Sequence, residues 1–86
     1  MPRAWVTSDE YDVVVQALVG ERTKRGVSQR ELADRLRKPR SFVSKLETKE
    51  RRVDLVEFIA IARALGAAPS DLFTEIERGL PPALSI

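Results

Sequence analysis

Three times in 86 residues a Ser, Thr or Asp followed three positions on by a glutamate is flanked on both sides by apolar residues. The boxes are Thr7-Ser8-Asp9-Glu10 between Val6 and Tyr11, Ser28-Gln29-Arg30-Glu31 between Val27 and Leu32, and Asp54-Leu55-Val56-Glu57 between Val53 and Phe58. In such a box the first side chain accepts from a free backbone N–H of the first helical turn and the glutamate reaches back. The flanking pair packs as a staple, so each box starts a helix. Starts this closely spaced permit only short helices. No strand-like alternation of useful length and no internal repeat lies between them, so the fold class is all-α.

Breakers and apolar spacing divide the chain into five helices. The first carries Tyr11, Val14, Val15 and Leu18 on one face and ends at Gly26, where a left-handed residue is easily accommodated. The second turns Leu32, Ala33 and Leu36 inward and stops near Arg37-Lys38-Pro39, because the residue before proline avoids helical geometry. Pro39 opens a third, with Val43 and Leu46 buried and Arg40, Ser41, Ser44 and Lys45 on the remaining face. The fourth is expected to bury Leu55, Ile59, Ala62 and Leu65 before Gly66. Pro69 opens the fifth, with Leu72, Phe73 and Ile76 inward, and Gly79 with Pro81-Pro82 ends it. A chain of this length buries about 60% of its unfolded surface, too little for two cores. One domain over residues 1–86 is therefore expected, with its core in 8–78 and an irregular tail over 79–86.

Cysteine and histidine are both absent. No disulfide or thiolate metal site exists, and the commonest general base and metal ligand are missing, so neither an enzyme nor a metal or cofactor site is expected. The cluster Asp9, Glu10, Tyr11 and Asp12 falls in a first turn, where the helix dipole already favours acids. No apolar run approaches the roughly 20 residues that cross a bilayer, and Met1-Pro2-Arg3-Ala4-Trp5 does not resemble a secretion signal. A cytoplasmic location without membrane contact or small-molecule ligand is the expectation. The net charge of +2 conceals an asymmetry: residues 21–52 hold twelve Lys/Arg and five Asp/Glu, a local +7, and the rest of the chain carries −5. A basic segment in an acidic frame suits a polyanion bound on one face, although charge alone does not separate this from a solvated basic surface.

Two short helices joined by a turn of three or four residues form a helix-turn-helix, in which the first presents the second outward. Here the pair is Ser28 to Leu36 and Pro39 to Glu47, and the small Ala33 lets the two cross closely. At this point the chain resembles the phage-repressor and Cro-type, or Xre, helix-turn-helix domains, from about Leu18 to Phe73. The resemblance rests on Arg22, Gly26-Val27-Ser28-Gln29, Leu32-Ala33, Ser41-Phe42-Val43-Ser44-Lys45-Leu46-Glu47, Arg51-Arg52 and Ala62-Arg63-Ala64-Leu65-Gly66. It implies a compact five-helix, lambda-repressor-like DNA-binding fold with helices two and three as the helix-turn-helix, and an ion pair between Arg22 and Glu47. The chain departs from the pattern where Arg37 replaces the turn glycine and Pro39 the Ser or Thr cap of the reading helix. A left-handed Arg37 costs about 1 kcal/mol, so the turn is expected to be shaped by Lys38-Pro39 instead.

In this geometry Arg40, Ser41, Ser44 and Lys45 face base edges, with the fork of Arg40 suited to guanine O6 and N7. The alternative for Arg40 and Lys45 is solvated charge or phosphate contact. Phe42 either touches a thymine methyl or packs on the domain, and packing is favoured. Gln29 resembles the family's phosphate-clamping glutamine, and Lys38, Lys49, Arg51 and Arg52 are placed to grip the DNA backbone. Useful specificity generally requires a homodimer on a palindrome. Phe73, Ile76, Leu80, Leu84 and Ile86 form one candidate interface, Trp5 with Val6 a second, and either set could instead cap the core. A transcriptional regulator of double-stranded DNA is the first reading. The second is a protein-interaction module, such as an antitoxin or adaptor, with weak, sequence-blind DNA binding.

Overall fold

The computed structural model describes residues 9–84, and these form α1 (Asp9–Lys24), α2 (Gln29–Leu36), α3 (Arg40–Glu47), α4 (Leu55–Leu65) and α5 (Pro69–Arg78), with no strand among them. The Thr7 box with its Val6 staple, the Trp5–Val6 interface and Ile86 lie outside the described residues. The Asp54 box closes in both directions: its carboxylate accepts the Glu57 N–H at 2.7 Å, and the Glu57 carboxylate accepts the Asp54 N–H at 3.0 Å. The Ser28 box closes in one. Ser28 Oγ accepts the Glu31 N–H at 3.0 Å, while the Glu31 carboxylate turns to Arg35 at 2.7 Å.

Four helices end in the same two-bond turn, with its central residue in the left-handed region. Val27, Lys38, Glu50 and Ala67 donate their N–H groups back to the carbonyls of Arg22, Ala33, Lys45 and Ala62 at 2.9 to 3.1 Å. The left-handed residue is glycine at Gly26 (φ 69°) and Gly66 (φ 81°), but it is a cation at Arg37 (φ 56°) and Lys49 (φ 65°), on either side of α3. The expectation that Arg37 avoids this geometry is thus corrected. Its N–H and that of Lys38 satisfy the carbonyls of Asp34 and Ala33, which offsets the steric cost.

The core is built from Leu18, Val27, Leu32, Ala33, Val43, Leu46, Phe58, Ile61, Ala62, Leu65, Leu72 and Ile76, with Tyr11 and Val15 buried as well. Two expected core members lie elsewhere. Leu55 shares the inner face of α4 with Phe58 and Ala62 but sits on its first turn, beyond the end of the core, and is 68% exposed. Phe73 is one residue round from Leu72, which takes the inward position, and is 55% exposed. Both line a surface groove with Val14, Val53, Phe58 and Ile76. Ile59, Val14 and Leu36 are half-buried against the core. The α2–α3 pair rests on α1 and α4, and α5 packs behind it on the same two helices.

Candidate nucleic-acid interface

Ala33, 1% exposed, lies where α2 meets α3, and its methyl group permits the close crossing expected of it. The turn of Arg37, Lys38 and Pro39 then redirects the chain, with Pro39 (φ −66°, ψ 152°) as an N-cap that makes no side-chain bond. Val43 and Leu46 anchor α3 in the core. At 100° per residue this rotates Arg40, Ser41, Ser44, Lys45 and Thr48 outward within an arc of about 140°. Arg40, Ser41, Lys45 and Thr48 are exposed and Ser44 is half-exposed, its hydroxyl donating to the Ser41 carbonyl at 3.3 Å. Thr48 was not anticipated. Its hydroxyl lies 2.9 Å from the Ser44 carbonyl and 2.7 Å from the Glu50 carboxylate, a position that only the exact end of α3 reveals.

The far end of α3 is fixed by charge. Arg22 Nε and Nη2 donate to the two Glu47 carboxylate oxygens at 2.7 and 2.9 Å, and Arg22 Nη1 donates to the Val27 carbonyl at 2.8 Å. The two side chains are only 12% and 13% exposed, so this bidentate pair ties α1 to the end of α3 away from bulk water. Gln29 joins it, donating through Nε2 to Glu47 Oε1 at 2.8 Å. The amide expected to clamp a phosphate therefore already has one partner, and its second N–H remains for another.

Several cations of the basic segment are engaged by partners within the protein while staying partly exposed. Arg25 pairs with Glu21 and donates to the Leu65 and Gly66 carbonyls at 3.2 and 3.1 Å, and Arg35 donates to the Ala64 carbonyl at 2.8 Å. Two arginines thus cap the C-terminal end of α4, a role that only the tertiary arrangement discloses. Lys49 reaches Asp12 on α1 at 3.0 Å, and Arg51 grips both carboxylate oxygens of Glu57. The ammonium of Lys49 holds Asp12 below its ordinary pKa, and the guanidinium of Arg51 does the same for Glu57 against the opposing effect of burial. Arg52 lies over the Tyr11 ring at 5.1 Å. Phe42 packs on the core, half-buried, with the Lys38 ammonium 5.5 Å and the Arg51 guanidinium 4.7 Å from its ring centre. Tyr11 accepts the Val53 N–H at 3.1 Å, stitching the loop after α3 to α1.

Among the described residues Arg30, Arg37, Lys38, Arg40 and Lys45 are exposed cations of α2, the turn and α3 with no ion pair, and Lys24, Arg63 and Arg78 on α1, α4 and α5 are likewise exposed without one. Of the expected apolar interface, Phe73 and Leu84 are exposed, Leu80 packs half-buried on the core, and Ile76 is 6% exposed within it. Ile76 is therefore a core residue, as its helical phase also required. No described helix is long and apolar enough to cross a membrane.

A helix-turn-helix family model matches residues 21–72, the span from the end of α1 to the first turns of α5. No curated protein matches the chain in sequence. Among solved structures, an XRE-family like protein from Pseudomonas syringae pv. tomato is 40% identical, with 84% of this chain and 88% of that one covered and a TM-score of 0.78. The clp gene regulator ClgR of Corynebacterium glutamicum is similar in two structures. One is 26% identical over 88% of this chain and 99% of that one, with a TM-score of 0.75; the other is 28% identical over 84% and 77%, with a TM-score of 0.72.

Proposed function

Because the chain belongs to the XRE, or Cro/C1-type, helix-turn-helix family, we propose that it is a DNA-binding transcriptional regulator that reads a short operator by laying α3 in the major groove. The outward face of α3 carries this reading: Arg40, Ser41, Ser44 and Lys45 stand there without a large apolar side chain, and the two cations have no partner among the described residues. Arg40, on the first turn, takes the guanine-reading role, because its planar fork matches O6 and N7 together. Ser41 and Ser44 accept or donate to several bases, and Lys45 favours guanine or the adjacent phosphate.

Backbone contacts come from the flanks. Gln29 offers its second amide N–H at the start of α2, and Lys38 and Arg52 flank the reading helix. Lys49 and Arg51 contribute with their remaining donors, since each is already turned toward a carboxylate. Two copies on half-sites about 34 to 36 Å apart would read a palindrome. The exposed Phe73 and Leu84, with Leu55 and Val56 at the start of α4, are the large apolar side chains among the described residues available for that contact.

Selection of bound sequences from random duplexes tests the proposal. The expected result is an enriched inverted repeat with guanine at a fixed position in each half. That preference should flatten in Arg40→Ala, while Arg52→Ala weakens all duplexes alike. Enrichment of nothing, with all affinity lost on adding salt, would reduce the basic face to an unspecific electrostatic surface and turn attention to a protein partner.

A further inference from the structure

Four helices end on a left-handed residue, and only two of these residues are glycines. The other two, Arg37 and Lys49, are both cations and bracket α3. A side chain in this region crowds the following carbonyl, so a non-glycine residue there is kept against a steric cost and calls for a compensating contact. For Lys49 that contact is visible: its ammonium reaches Asp12 at 3.0 Å and ties the end of α3 to α1. Arg37 has none. Its guanidinium is exposed and forms no hydrogen bond, ion pair or ring contact among the described residues, although Asp34 lies three positions earlier on the same turn. The backbone bonds of this turn use main-chain groups alone, and glycine would make them equally well.

No contact among the described residues compensates Arg37, so its guanidinium is available to a ligand. Its position indicates the chemistry. Arg37 precedes α3 by one short turn, next to Lys38 and close to Arg40, so it borders the helix proposed to enter the groove and is not part of it. We infer that Arg37 is a further DNA-binding residue, clamping a backbone phosphate at the edge of the groove read by α3. This rests on the DNA-reading function proposed above. A planar guanidinium with two parallel N–H donors suits a phosphate oxygen pair, and such a contact adds affinity without base preference.

A phosphate clamp at Arg37 separates binding from stability, which a purely structural residue does not do. In Arg37→Gly the turn loses its steric cost, so the thermal midpoint rises or stays level. On a mixed-sequence duplex at low salt the same variant binds roughly tenfold more weakly. The slope of log affinity against log salt falls by about 0.9, the release of one phosphate's counterion. Arg37→Lys keeps the charge and the left-handed cost, and so restores the slope without raising the midpoint. An unchanged slope in Arg37→Gly, a fall in its thermal midpoint, or an altered preference at one base pair would each overturn the phosphate clamp while the wild-type chain still binds DNA. If the wild-type chain binds no duplex at any salt, the DNA-reading function itself fails and the clamp with it.

Discussion

Glu47 shows how a single residue orients a helix without adding much to stability. Two charges removed from water regain little net free energy on pairing, yet removing one partner leaves the other stranded. With both side chains nearly buried, Arg22→Ala should destabilise the fold by about 3 kcal/mol, measured by urea unfolding, and loosen the end of α3. An equally stable variant would remove the orienting role. Glu57 is a separate case because its pKa is lowered by Arg51 and by the Asp54 N–H. A carboxylate with a depressed folded pKa stabilises the protein above its unfolded value and loses that contribution as pH falls through the folded one. The gap in melting temperature between the wild-type chain and Glu57→Gln should therefore be largest near neutrality and close as pH drops below the ordinary 4.5. At this scale the family pattern made the Arg22–Glu47 pair legible. The pairings of Lys49, Arg51, Arg25 and Arg35 were not, because each joins segments that only the folded chain brings together.

Helix starts were read from local chemistry, and at Asp54 the box closes as its four residues require. Helix phase was harder to read where a helix is apolar on most sides. The stretch Leu55–Leu65 offers Leu55, Phe58, Ile59, Ile61, Ala62 and Leu65 to any inward face, and spacing alone selects Ile59 as readily as Ile61. What decides is where the core ends along the axis, which exposes Leu55 and buries Phe58. The α2–α3 crossing was legible in one residue, Ala33, because only a small side chain permits the approach. Ala33→Leu should overpack this contact and cost about 1 to 3 kcal/mol in denaturant unfolding. It should also tilt α3, so that DNA affinity falls further than the loss of folded protein accounts for. Affinity that merely tracks the folded fraction would show that the crossing does not set the reading angle.

The charge pattern of the whole chain takes on a different meaning once folded. The sequence places +7 in residues 21–52, but Arg22, Arg25, Arg35, Lys49 and Arg51 are turned to carboxylates or to backbone carbonyls. Arg30, Arg37, Lys38, Arg40 and Lys45 stay exposed and unpaired on α2, the turn and α3, while Lys24, Arg63 and Arg78 stand singly on the other helices, so folding separates a structural set from an outward set densest around α3. Electrostatics that concentrate affinity on one face predict where DNA perturbs the protein. Amide chemical-shift mapping of the labelled 86-residue chain, titrated with a mixed-sequence duplex at low salt, reads this face directly. Perturbations are expected to concentrate at the start of α2 and from Lys38 through Arg52, with α5 and the Leu55–Phe73 groove unchanged. Perturbations centred on that groove, or spread evenly over the surface, would contradict α3 as the reading element.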